Sequence, residues 1–382
     1  MNFFINSIVS ILISCYILIE LISFLKKVPI KSIKIYLIVF TVLHFMGCFV
    51  FLSIIDKQDN SIDAVRFFNN AFETDKWTNL VGLGSSFISF LIYPVVKLGV
   101  RLEVLFFLFS TISFKGFLIY FNSIGVDKLQ LKNKWLLLLF LTPSLHFWTG
   151  FLGKEALLLL LMVLLLEKIK LKTFDWKFIL IFIFIFLIRP HVFFVLMIAL
   201  GVLFLVDDYF TAPQKRNLIL FSLICFSIMI PITLVYFLGI ETLNLTSMNE
   251  YWLSFLEYTD NRGDASISLR NTTIFTRIFY LVLMPLPFLY AIQTKLQLIV
   301  SIENIYYLSI FVLAVVYFFR YGLKFKQLNI ELKYTLIASG LLIILFGSYL
   351  YNLGLGNRMR IMFFPYIFYF LIQTIPQKFR NE

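Results

Sequence analysis

The run FFINSIVSILISCYILIELISFL, residues 3–25, has one charged side chain, Glu20, in 23 residues. Wound as an α-helix it rises about 34 Å, a little more than the roughly 30 Å hydrocarbon core of a bilayer. A segment of that length and polarity reads as a membrane-crossing helix. Its first basic pair, Lys26-Lys27, follows the apolar run. A cleavable signal peptide puts its positive charge first, so the expectation is a retained helix with its N-terminus outside.

The rest of the chain repeats the pattern. Further long apolar runs are Ile35–Ile55, Val104–Asn122, Asn217–Leu238, Val300–Phe319, Tyr334–Tyr351 and Ile361–Thr374. Shorter ones are Trp135–Phe147, Ala156–Leu166, Phe178–Ile188 and Val192–Val206, and Gly, Pro or charge interrupts Leu80–Leu98 and Ile278–Ile292. Over all 382 residues 60% are hydrophobic, 14% are charged and Phe occurs 47 times. Soluble domains carry about 25% charged residues, and no stretch here of soluble composition is long enough to form one. The expected fold class is all-α, a polytopic transmembrane helical bundle, with residues 1–382 as a single integral membrane domain.

The net charge of +12 fits the basic cytoplasmic loops of membrane proteins. No basic helix with interleaved aromatics stands outside the apolar runs, so nucleic acid is not an expected partner and the lipid bilayer is. Cys15, Cys48 and Cys225 all lie in apolar runs, which argues against a disulfide framework or a metal site.

Loop charge sets an expected topology. The basic loops are 26–34, 127–134, 167–177, 212–216, 320–326 and the C-terminal PQKFR. All fall on the cytoplasmic side if about 11 spans cross and Leu80–Leu98 and Ile278–Ile292 are re-entrant or interfacial. The C-terminus is then cytoplasmic. The outer face receives 56–79, 142–155, 189–191, 239–277 and 354–360, with loops 56–79 and 239–277 contributing to an extracytoplasmic cavity. Phe178–Ile188 and Val192–Val206 rise only about 16 and 22 Å, which recesses the turn between them. The turn carrying His146, Lys154 and Glu155 is recessed by the same argument. Polar groups at such depth need a wet cavity or each other.

The candidate residues follow from this map. In the first outer loop, with Asp56 and Asp59, the spacing of Ile62, Val65, Phe68 and Phe72 predicts a surface helix. Asp63, Arg66 and Asn70 share its other face. Asp63 is either part of a solvated face or a general base for a hydroxyl acceptor. Lys154 and Glu155 either open an interfacial helix or form a charge pair that binds phosphate. Arg189-Pro190-His191 sets a guanidinium and a titratable ring at a helix break, a combination suited to a diphosphate. His146 is either an aromatic-belt residue beside Trp148 or a substrate contact, and His44 reads as a packed intramembrane histidine. Arg358 and Arg360, with Arg262, Arg270 and Arg277, run against the positive-inside tendency and point to an anionic ligand such as a lipid phosphate.

No Walker motif, CxxC pair, HExxH or GxSxG elbow is present, so neither ATP nor zinc chemistry is supported. The order of an acidic first loop, PSLHFWTGFLGKE (143–155), IRPH (188–191) and GNRMRIMFFP (356–365) resembles bacterial polysaccharide polymerases of the O-antigen polymerase (Wzy-type) and EpsG-like families. It shares features with polyprenyl-phosphate-dependent GT-C glycosyltransferases. The resemblance implies a transferase of the bacterial inner membrane that polymerises undecaprenyl-diphosphate-linked oligosaccharide repeat units at the outer face. It implies no cofactor, and envelope polysaccharide assembly proteins as partners. Arg189, Arg358 and Arg360 would then hold the diphosphate, and His191 or Glu155 would help deprotonate the acceptor. In the GT-C alternative, which moves one sugar, Asp63 matches the acidic first-loop position. The outer loop is shorter than in many O-antigen polymerases, and no acidic pair of GT-C type stands in the first loop. A lipid-linked oligosaccharide flippase or other transporter is the competing class, but no internal repeat supports it.

Overall fold

A computed structural model describes residues 2–55, 62–126, 134–207, 212–233, 244–260, 265–292 and 294–375; Asp56, Asp59 and Arg262 lie outside them. The described residues are mostly helical, with one isolated antiparallel bridge, Ser266 to Asn352. Among the described residues, five helices are long and apolar enough to cross a membrane. They are α1 (Asn2–Lys27), α2 (Lys31–Ile54), α5 (Leu102–Ser123), α13 (Lys295–Tyr321) and α14 (Ile330–Ser348). A sixth span arises if the bent pair α6 (Pro143–Thr149) and α7 (Lys154–Lys170) counts as one. In α1 only 17% of the most apolar window is buried, so rows of Ile, Leu and Phe face outward. Lipid solvates such a surface and water does not, which makes this a helical membrane protein.

Contacts group the chain into two compact units, Met1–Arg189 with Ile372–Glu382, and Pro190–Leu371. In the first, α1, α5 and α7 run one way. Asn6 holds the junction before α5, donating to the Gly99 carbonyl at 2.9 Å and accepting from the Arg101 N–H at 2.8 Å. Fourteen residues further along both helices, Lys115 pairs with Glu20 at 2.7 Å. Between α5 and α7 the approach is close at Gly116, where an added Cβ would lie 3.1 Å from the Cα of Leu160. Helix α2 is antiparallel to α5, as the ring pairs Tyr36–Phe121, Phe40–Phe117 and Phe51–Phe106 show. Helix α8 (Trp176–Ile188) is antiparallel to α7.

These directions sort the polar loops of the first unit into two ends. At one end Ser123 donates to Glu167 at 2.9 Å, Lys170 to the Ser123 carbonyl at 2.6 Å and Gln373 to the Ile124 carbonyl at 3.2 Å. Asp175 caps α8 there by accepting from the Phe178 N–H at 3.1 Å. Lys168, 2.6 Å away, holds its carboxyl below the usual carboxylate range. The opposite end carries the starts of α4 (Ser85–Lys97) and α7 and the end of α8.

Two stretches depart from the sequence reading. Trp135–Phe147 is not one helix: a 3-10 segment, Lys134–Leu141, stops and α6 begins at Pro143. The residue before a proline is pushed out of the helical region, and Thr142 sits at φ −69°, ψ 126°. The surface helix forms as α3 (Asp63–Glu73), but it buries Ala64, Val65, Phe67 and Ala71, and leaves Phe72 62% exposed. Its two alanines make the close-packing stripe that a count of large apolar residues overlooks. Leu80–Leu98 and Ile278–Ile292 are broken as expected, into a 3-10 turn (Trp77–Leu80) plus α4, and α12 (Ile274–Leu283) plus a non-helical segment.

In the second unit α9 (Pro190–Val206) and α14 are antiparallel. Lys333 near the start of α14 pairs with Asp207 just past α9 at 2.7 Å, both buried. His191 at the other end of α9 meets Phe346 and Tyr349 edge-on. The remaining helices are α10 (Ala212–Ile232), α11 (Leu245–Asp260), α15 (Leu353–Arg360) and α16 (Phe364–Thr374).

Candidate functional site

The site is built where three apolar helices of the first unit end together. Gly84 has φ 65°, a region that favours glycine, and its N–H donates to the Leu187 carbonyl at 2.7 Å. That bond ties the start of α4 to the end of α8. Gly150-Phe151-Leu152-Gly153 turns the chain by 103° between α6 and α7. Lys154 and Glu155 therefore project from the first turn of α7, beside the starts of α4 and the end of α8.

Glu155 is fully buried, and its Oε1 accepts from Nη2 of Arg189. The Arg189 side chain is 12% exposed, and its Nε is buried with no hydrogen-bond partner. Buried polar groups in proteins are nearly always satisfied. An orphaned guanidinium N–H therefore marks a place for an acceptor. Lys154 donates to Ser85 Oγ at 3.0 Å and stands 5.8 Å from the centroid of Phe67 on α3. Asp63, on the same helix, accepts from Arg66 one turn on and keeps 24% of its side chain exposed. The first unit thus brings Lys154, Glu155 and Arg189 together, with Ser85 added, and sets the Asp63–Arg66 pair on the adjoining helix. Three cations, Lys154, Arg189 and Arg66, and two carboxylates, Glu155 and Asp63, are thus carried at this end of the first unit.

His146 turns the other way. It is 2% exposed, and its Nδ1 lies 3.3 Å from Nδ1 of His44. His44 Nε2 reaches the Ser110 carbonyl at 2.9 Å and Ser113 Oγ at 3.1 Å, and Ser113 donates to the Thr149 carbonyl at 2.7 Å. With Nε2 donating, the neutral His44 ring accepts at Nδ1 from His146. His146 is therefore a buried link between α6 and α2, not an exposed belt residue. His44 is packed, stacked on Phe40 at 6.1 Å.

In the second unit the arginines brace the fold. Arg360 is 3% exposed and donates to Leu281 O at 2.7 Å, Met284 O at 2.6 Å and Asn304 Oδ1 at 2.6 Å. Asn304 in turn donates to Pro285 O at 2.8 Å. These are the carbonyls left open where α12 stops. Arg277 donates to Gly347 O at 2.9 Å and Thr272 O at 2.8 Å. Arg358 is half-buried on α15, and His191 is half-buried against Phe346 and Tyr349.

Sequence reasoning missed Ser85 and Phe67, although the Gly82-Leu83-Gly84 interruption marks the loop that presents Ser85. It also missed the pairing of His44 with His146 and of Asp207 with Lys333, which join residues 102 and 126 positions apart. A separate cavity of about 380 Å³ lies among α1, α5 and α7, lined by Leu12, Tyr16, Thr111, Lys115 and Leu160. Among the described residues no three His, Cys, Asp or Glu side chains come together to hold a metal. Comparison of the chain with protein-family models, with curated proteins and with solved structures finds no match.

Proposed function

We propose that this protein is a membrane glycosyltransferase that joins saccharide units carried on a polyprenyl diphosphate, at the outer face of a bacterial inner membrane. The observation that carries the proposal is the half-satisfied guanidinium of Arg189. One arm is held by buried Glu155, the Nε–H is unused, and Lys154 lies at the start of the same helix as Glu155. A buried charge pair in an apolar protein is a weak source of stability, so a functional reason for keeping it is favoured. A diphosphate supplies an acceptor for the unused Arg189 N–H, next to the ammonium of Lys154.

In this scheme the acceptor hydroxyl oxygen attacks the anomeric carbon of the donor sugar. The bond from that carbon to the diphosphate oxygen breaks as the new glycosidic bond forms. The hydroxyl proton passes to Asp63, the more exposed of the two carboxylates, while Glu155 orients Arg189. The leaving diphosphate gains negative charge, which Arg189 and Lys154 stabilise. His191, Arg277 and Arg360 have no part in the scheme.

The test is the gel profile of surface and lipid-linked glycan from a strain lacking the protein, complemented with wild type, Arg189→Lys or Asp63→Asn. Loss of the long ladder with accumulation of single units is expected without the protein and with either variant. A ladder that persists with altered unit mass identifies transfer of one sugar instead. An unchanged profile in every strain overturns both and favours transport.

A further inference from the structure

Beside the charged site, α4 and the turn before it carry a set of aromatic rings that packing alone does not explain. Trp77 stacks on Phe90 with centroids 4.9 Å apart and planes 22° apart. It is nearly coplanar in orientation with Tyr93, at 6.2 Å and 6°. Trp77 nevertheless keeps 45% of its surface exposed.

The polar atoms of these rings are bonded to backbone. Trp77 Nε1 donates to the Phe90 carbonyl at 2.8 Å, and the Tyr93 hydroxyl donates to the Asp75 carbonyl at 2.7 Å. A ring anchoring a protein at the membrane surface turns its N–H or O–H to water and headgroups. Here both are spent on backbone; Tyr93 has the Lys97 ammonium 5.3 Å from its ring centroid and Phe90 is covered by Trp77, so the face left exposed is that of Trp77, fixed in orientation. Around it Asp75, Lys76, Thr78 and Asn79 are all exposed. A π face carries partial negative charge and attracts weakly positive C–H groups. A pyranose ring offers such C–H groups on its face and hydroxyls around its edge. The platform and its rim match both.

We infer that the exposed face of Trp77, held in place by Phe90 and Tyr93, is a saccharide-binding platform that stacks a pyranose ring of the glycan. The inference rests on the reading of this protein as one that acts on a glycan. Ser85 and Phe90 share α4 and are separated by about 7.5 Å of helical rise. That distance places the platform near enough to Lys154 to hold a sugar next to a bound diphosphate.

The test uses the full-length protein in lipid nanodiscs, titrated with the lipid-free oligosaccharide released by mild acid from the surface glycan of the source strain. Wild type is expected to bind, and Trp77→Leu, which keeps apolar bulk without a ring, to bind about tenfold more weakly. Trp77→Phe, which keeps a ring, is expected to stay within about threefold. If Trp77→Leu fails to accumulate, Phe90→Leu takes its place with the same expected loss. Equal binding by the Leu and Phe variants, or no binding by wild type, overturns the platform. A ladder that needs the protein, combined with saccharide binding indifferent to Trp77, overturns the platform alone. Trp77-dependent binding in a strain whose ladder is indifferent to deletion overturns the polymerase reading alone.

Discussion

Arg189 and Arg360 look alike in the sequence, each a basic residue beside an apolar run, and the fold uses them in opposite ways. Arg360 is buried against three acceptors, and burial pushes its guanidinium down to about 10, still charged at neutral pH. Lysine cannot span three acceptors in a plane. Arg360→Lys should therefore lower the unfolding midpoint, by about 2–3 kcal/mol of stability, and leave glycan length per folded molecule unchanged. Shortened glycan at normal stability would contradict the brace. For Arg189 the structural and chemical roles can be separated. Removing one partner of a buried pair costs about 3–5 kcal/mol, whereas replacing both with apolar residues is often neutral. Arg189→Met should be strongly destabilised, and the double variant Glu155→Leu/Arg189→Met should recover thermal stability but no activity. Recovery of activity in the double variant would show the pair to be purely structural. Arg189 was legible in the sequence because a charge between two apolar helices needs a partner. Its partner was not, because Glu155 lies 34 positions away on another helix.

At the level of elements, apolar length and periodicity located the long helices, whereas α11 and α15 form inside stretches read as outer loops, and small residues decided how the helices pack. Helix α2 meets α6 at Gly47, where a Cβ would stand 2.9 Å from the His146 carbonyl carbon. Backbone cannot move aside as a side-chain tip can. Gly47→Ala should cost about 1–3 kcal/mol through overpacking, seen as a lower melting midpoint. Gly201, in the interior of α9, has nothing within 4 Å of its Cβ position, so Gly201→Ala should be neutral or stabilise by up to about 1 kcal/mol. Equal effects at the two sites would contradict the packing described for α2 and α6. Neither outcome is visible in sequence, where both glycines sit alike in apolar runs. The α3 stripe failed to show for a similar reason: Ala64 and Ala71 pack closely because they are small, and hydrophobic weighting ranks them below Phe72.

For the whole molecule, the distribution of charge among loops was the strongest sequence signal. Within the first unit the basic loop 167–177 and the Ser123–Ile124 turn gather at one end, and Lys154, Glu155 and Arg189 at the other. The charge rule assigns these ends to opposite sides of a membrane. In right-side-out spheroplasts, Asn79→Cys should react with an impermeant maleimide, and Lys172→Cys should react only after lysis. Labelling of both in intact spheroplasts would contradict the topology. Charged clusters were less legible than helix placement, because a few charges with no fixed spacing are brought together only by the helix ends.

Whether Arg189 serves a lipid-linked glycan at this helix junction is decided by the glycan ladder of the deletion strain complemented with Arg189→Lys, expressed at wild-type level. Collapse of the ladder to single lipid-linked units is the predicted result. A full-length ladder from Arg189→Lys, or from the deletion strain itself, would contradict it.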